Sequence, residues 1–79
     1  MAGNLPNTYA RGVHVVRAIG DGQTRYWAVA TRREQAILEV QQLLPPGWIA
    51  SITERHLTPD QVAALNMHPG SVRELKYEP

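Results

Sequence analysis

Cysteine is absent from this chain, which removes disulfides, thiolate zinc sites, iron–sulfur clusters and cysteine nucleophiles together. Phenylalanine is absent too, so two tryptophans and three tyrosines are the whole aromatic complement. A sheet built to stack several bases would need more. The histidines, His14, His56 and His68, lack any H-x-H or H-x3-H spacing, and without clustered carboxylates no metal site is expected. Residues 1–12 have neither a basic start nor an apolar run, and no stretch is long enough to span a bilayer. A cytoplasmic protein without a membrane anchor is the expectation.

Chemistry is equally thin. Gly20-Asp21-Gly22 precedes no helix, so it reads as a turn and not as a phosphate loop. Ser51 and Ser71 have no local context that positions a base and an oxyanion hole. Neither an enzyme nor a bound cofactor is expected.

What is present is the pattern of a small folded domain. Seventy-nine residues with 43% hydrophobic and 19% charged side chains make one domain, expected to bury about 60 to 65% of its unfolded surface. Residues 1–12 are expected to form a loosely ordered tail and residues 13–79 a single α+β domain. Charge is uneven. Residues 1–33 carry five arginines against Asp21, net +4, while residues 34–79 are net −3.

Val13 to Ile19 is rich in β-branched residues, and Asp21-Gly22 supplies the positive φ of a tight hairpin turn before a second strand from Thr24 to Ala30. With that turn centre, Ile19 faces Thr24, Arg17 faces Tyr26, Val16 faces Trp27 and Val15 faces Ala28. One sheet face then shows Val13, Val15, Ile19, Tyr26, Ala28 and Ala30, and the other Val16, Trp27 and Val29 beside His14 and Arg25. Thr31-Arg32-Arg33-Glu34 reads as a capping box, opening a helix whose apolar stripe is Ala36, Ile37, Val40, Leu43 and Leu44. Pro45-Pro46-Gly47 ends it, and Trp48 to Thr53 reads as a third strand. Thr58-Pro59-Asp60-Gln61 starts a short second helix to about Leu65. Ser71 to Leu75 reads as one helical turn or a short edge strand.

The expected fold is therefore β-β-α-β-α, with a three-stranded antiparallel sheet in order 2-1-3 and one main helix on one face. The small residues Ala28 and Ala30 place that helix over their own face. The Trp27 face is left to the second helix, to another subunit or to a ligand.

The segment from Leu57 to Leu75 resembles the helix-turn-helix of small excisionase-like and MerR-like DNA-binding domains. It departs from that pattern by about one residue in spacing between Ala63 and Val72, and by an acidic end, Glu74 and Glu78, where a reading helix would be basic. No family assignment follows from it.

The candidate interaction surface is Arg17, Arg25, Trp27, Arg32 and Arg33. Two apolar sheet faces and the absence of chemistry point to a non-enzymatic protein-interaction module, either a homodimer or an accessory protein docking on a larger partner. The alternative is a nucleic-acid-binding domain that uses the basic hairpin and helix start.

Overall fold

The computed structural model describes residues 12–76. The tail expected over residues 1–12 therefore lies outside the described residues, apart from Gly12. Elements follow in the order β1 (His14–Gly20), β2 (Gln23–Val29), α1 (Arg33–Gln41), β3 (Ile49–Ile52), α2 (Pro59–Ala64) and β4 (Val72–Leu75). Among the described residues this is a small α+β fold with an antiparallel sheet and two helices.

The hairpin forms as the turn chemistry demands. Asp21 and Gly22 both have positive φ, 52° and 73°, the primed turn whose twist matches its strands. The β1–β2 register runs from Ile19↔Thr24 through Val16↔Trp27 to His14↔Val29. Strand β3 pairs antiparallel with β1 on its other side, Ile19↔Ile49 to Val16↔Ile52.

The sheet has four strands in order β3-β1-β2-β4, which corrects the three-stranded expectation. Strand β4 pairs with β2, Val29↔Val72 to Tyr26↔Leu75. The physical reason lies at Gly70, whose φ of 87° turns the chain back along β2. Its N–H donates to Ala30 O (2.8 Å), and Ala30 N–H donates to Ser71 O (2.9 Å). Without that return, β2 would present an open edge beside its apolar residues. The same finding removes the helix-turn-helix likeness, because its second helix is a strand.

The faces are covered the opposite way round from the expectation. Helix α1 packs on the Trp27 face, where Ala36 and Val40 join Val16, Val29 and Ala50, with Trp27, Ile37, Leu44, Ile52 and Val72 against them. The face of Ala28 and Ala30 is covered instead by the chain after β3. There Leu57, Val62 of α2 and Met67 pack on Val13, Val15, Ala28 and Ala30. The alanines do admit a close helix, but it is the short one.

The caps also exchange roles. Helix α1 starts one residue late, with Arg32 at the N-cap and no side-chain cap bond; Thr31 Oγ1 instead donates to Arg32 O at 3.2 Å. That shift puts Glu34 at the second helical position, out of register for a capping box. Helix α2 has the full box, with Gln61 N–H donating to Thr58 Oγ1 (3.1 Å) and Thr58 N–H to Gln61 Oε1 (2.8 Å). Helix α1 ends at Gln41, so Leu43 leaves the apolar stripe and is exposed.

Candidate functional site

The residues singled out in the sequence do not form one surface. Arg17 lies on the α2 face of the sheet, with Tyr26 and Ser51 as its cross-strand neighbours. Arg25 and Trp27 lie on the α1 face, and Arg32 and Arg33 sit at the start of α1, at the end of the sheet away from the hairpin turn. Trp27 is partly buried in the α1 core. Its indole N–H is buried with no acceptor among the described residues.

Arg25 is already engaged. Its guanidinium lies 5.2 Å from the centroid of Trp48, and its Nε is 3.6 Å from a Glu74 carboxylate oxygen. Trp48 is itself buried. Its indole N–H donates to Asp21 Oδ2 at 3.3 Å, and it covers the bare backbone of Gly20. Trp48 thus seals the hairpin end of the α1 face, and α1 seals the rest. Arg33 reaches Glu54 at 4.0 Å, between two exposed side chains, a contact of little energetic weight.

Near Arg33, His14 is partly buried. Its pKa is held below the ordinary 6.5, first by burial, then by the positive fields of Arg33 and His56, with Glu34 opposing. A native state that binds this proton less readily than the unfolded chain is fully stable above 6.5 and loses stability as pH falls below it, down to the lowered native value. Replacing His14→Gln is expected to flatten that part of the stability–pH curve. Urea midpoints at intervals from pH 7.5 to 5 check it; an unchanged slope refutes the assignment to His14.

The α2 face is covered over half its length only. Thr53 closes the β1–β3 ladder, its N–H and hydroxyl both donating to Val15 O at 3.0 and 2.9 Å, and the chain then passes over Val13, Val15, Ala28 and Ala30. Tyr26 and Leu75 are half-buried at the border of that cluster, and toward the hairpin tip the same face carries Arg17, Ile19, Thr24, Ile49 and Ser51. Ile19 and Ile49 are direct register partners, yet they are 48% and 66% exposed. Arg55 lies 5.9 Å from the Tyr26 ring centroid at the margin.

The β3 edge is not open in the same way. Thr53 bonds inward to β1, so by strand alternation Ala50 and Ile52 turn their backbone groups outward. The Gln41 side chain takes part of that edge. Its Oε1 accepts from Ala50 N–H (3.0 Å) and its Nε2 donates to Trp48 O (2.7 Å). A carboxamide from α1 thus occupies positions that an added strand would need.

Sequence reasoning missed Ile49, Gln41 and Trp48. Ile49 was recoverable by extending the register to the third strand, which places it beside Ile19. Gln41 and Trp48 carry no local signal, since their partners lie across the fold.

Among the described residues no group of three His, Asp or Glu side chains is placed to hold a metal ion, and no helix is long and apolar enough to cross a membrane. No family model, curated protein or solved structure matches this chain.

Proposed function

We propose that this chain is a non-enzymatic protein-interaction module that engages its partner through the uncovered half of the α2 face. The observation that carries this reading is the exposed pair Ile19 and Ile49, side by side on a regular sheet whose opposite face is packed under α1. Single exposed apolar residues are ordinary, but here two large ones are direct register partners on adjacent strands, a paired apolar surface and not a scattered residue.

The nucleic-acid alternative has less support. Its arginines are divided between two faces and two ends of the sheet, and Arg25 is committed to Trp48 and Glu74.

The test is affinity capture from lysate of the native host, split into nuclease-treated and untreated halves, with the wild type beside an Ile19→Thr/Ile49→Thr variant. Both positions are exposed and threonine keeps strand propensity, so the variant is expected to stay folded by circular dichroism. Expected is a protein partner that survives nuclease and is lost from the variant. Recovery that nuclease abolishes, or a partner the variant retains in full, overturns the reading.

A further inference from the structure

Resting on that reading, we infer that the partner element is an extended segment of another protein in which apolar and acidic residues alternate, laid along β1 over Ile19 and beside Ile49 with a carboxylate on Arg17. Three observations select this occupant.

The first is charge. Arg17 is exposed at the middle of the central strand β1 and makes no ion pair among the described residues. Its cross-strand neighbours are Tyr26 and Ser51, and the next residue along the same face is Ile19. Arg73 shares this face from β4. No described strand residue on the face is acidic. A face-to-face second copy would bring guanidinium groups together with no carboxylate on the described strands of that face to answer them, and like charges in a drying contact cost affinity. An acidic partner meets the same cations favourably.

The second is size. Among the described residues the open part spans three strands, with Ile19, Thr24 and Ile49 in one row and Arg17 and Ser51 in the next, and strands about 4.8 Å apart give it a footprint on the order of 200 Å² at most. A stable globular interface needs roughly 800 Å² on each partner. The patch suits a short segment.

The third is the mode of contact. Gln41 holds Trp48 O and Ala50 N–H on the β3 edge, so addition of a strand there would first have to displace it. Strand addition at the other edge, β4, would not reach Ile19 or Ile49, which lie on β1 and β3; contact with them is made by side chains on the face. Along one side of an extended chain, residues two apart lie about 7 Å from each other, the spacing of Arg17 and Ile19 on β1. An apolar-x-acidic repeat in the partner reproduces it.

The experiment uses the full chain, isotopically labelled, and three probes followed by amide chemical shifts. The probes are a blocked peptide Val-Thr-Glu-Thr-Val-Thr-Glu, the same peptide with lysine for each glutamate, and a thymidine octanucleotide. Expected is saturable movement of the Arg17, Ile19, Ile49 and Ser51 amides with the glutamate peptide, and binding of the lysine peptide weaker by on the order of tenfold. The Arg17→Glu variant is expected to reverse that preference while keeping a folded spectrum. Equal binding of both peptides, no binding of either, movement of the same amides by the oligonucleotide instead, or concentration-dependent self-association that Ile49→Thr abolishes each overturns the inference. The broader reading fails separately, when lysate capture is indifferent to Ile19→Thr/Ile49→Thr; a capture that needs those isoleucines but ignores Arg17→Glu sinks the acidic partner alone.

Discussion

A Trp27→Ala variant is expected to lose about 3 kcal/mol of stability, the low end of what truncating a packed tryptophan costs because this one is partly and not fully buried. The indole packs against the cluster formed by Val16, Val29, Ala36, Val40 and Ala50, so truncation leaves a gap between α1 and the sheet. For a domain of this size, stability is of order 0.05 to 0.15 kcal/mol per residue, so that loss is a large part of the whole. The melting temperature is expected to fall by about 15 °C. Trp27→Phe separates packing from polarity. It keeps most of the ring contact and removes an N–H that is buried without an acceptor among the described residues, so it is expected to lie within about 1 kcal/mol of wild type. Thermal and urea unfolding of the three proteins decide it. If Trp27→Ala melts with wild type, Trp27 is a surface residue and the α1 packing described above is wrong.

That outcome bears on how the Trp27 face was read from sequence. Alternation along Thr24 to Ala30 correctly divides the strand into two faces, and the Asp21-Gly22 turn sets a register that the structure keeps pair for pair. These are local facts, carried by period and turn chemistry. Which face takes α1 is not local. Ala28 and Ala30 admit a helix closely, but Trp27 offers more area to cover, and a helix of nine residues covers more than one of six.

Strand β4 shows the same limit. Val72-Arg73-Glu74-Leu75 has only four residues and equal numbers of apolar and charged side chains, so period alone leaves strand and helical turn undecided. Val72 reaches one face and Leu75 the other, and the tie is broken by the open edge of β2 together with the return at Gly70. Thr31 and Thr58 make the comparison at single residues. Both precede a Glu or Gln by three, yet only Thr58 caps, because Pro59 fixes the first helical φ immediately after it, while after Thr31 the chain holds Arg32 extended before the helix begins.

The candidate surface was legible in part. Arg17 was singled out and lies in the open patch; Ile19 was placed on the right face but given no role. Exposure could not be read, since it depends on how far the chain after β3 extends over the α2 face. The helix start at Thr58 and the glycine return at Gly70 stop that cover short of Ile19 and Ile49. The patch is thus the remainder left by two local stop signals, and its isoleucines look like core residues in any one-dimensional reading.

Gly20→Ala is expected to cost about 3 kcal/mol, the upper part of the range for forcing extra atoms into a packed site. The reason is contact and not backbone freedom, because Gly20 is not among the residues with positive φ. A Cβ at this position would be driven into the Trp48 indole. The ring has little room to yield. It is 6% exposed, its N–H is held by Asp21, and the Arg25 guanidinium lies on it. Removing Gly20 therefore unseats Trp48, and with it the cover of the α1 face at the hairpin end. Two readouts are expected together: a melting temperature lowered by about 15 °C, and a shift of tryptophan emission to longer wavelength as the indole meets water. A Trp48→Val partner variant makes the test specific. If the clash is the cause, the added methyl costs little once the ring is gone, so the double variant is more stable than the sum of the single effects by at least about 1 kcal/mol. Strict additivity, or a Gly20→Ala protein as stable as wild type, would mean that Trp48 does not rest on Gly20. Because the substitution exposes apolar surface on the α1 face while leaving Ile19 and Ile49 in place, the variant is also expected to self-associate without gaining affinity for the glutamate peptide, which separates a damaged core from an altered interaction surface.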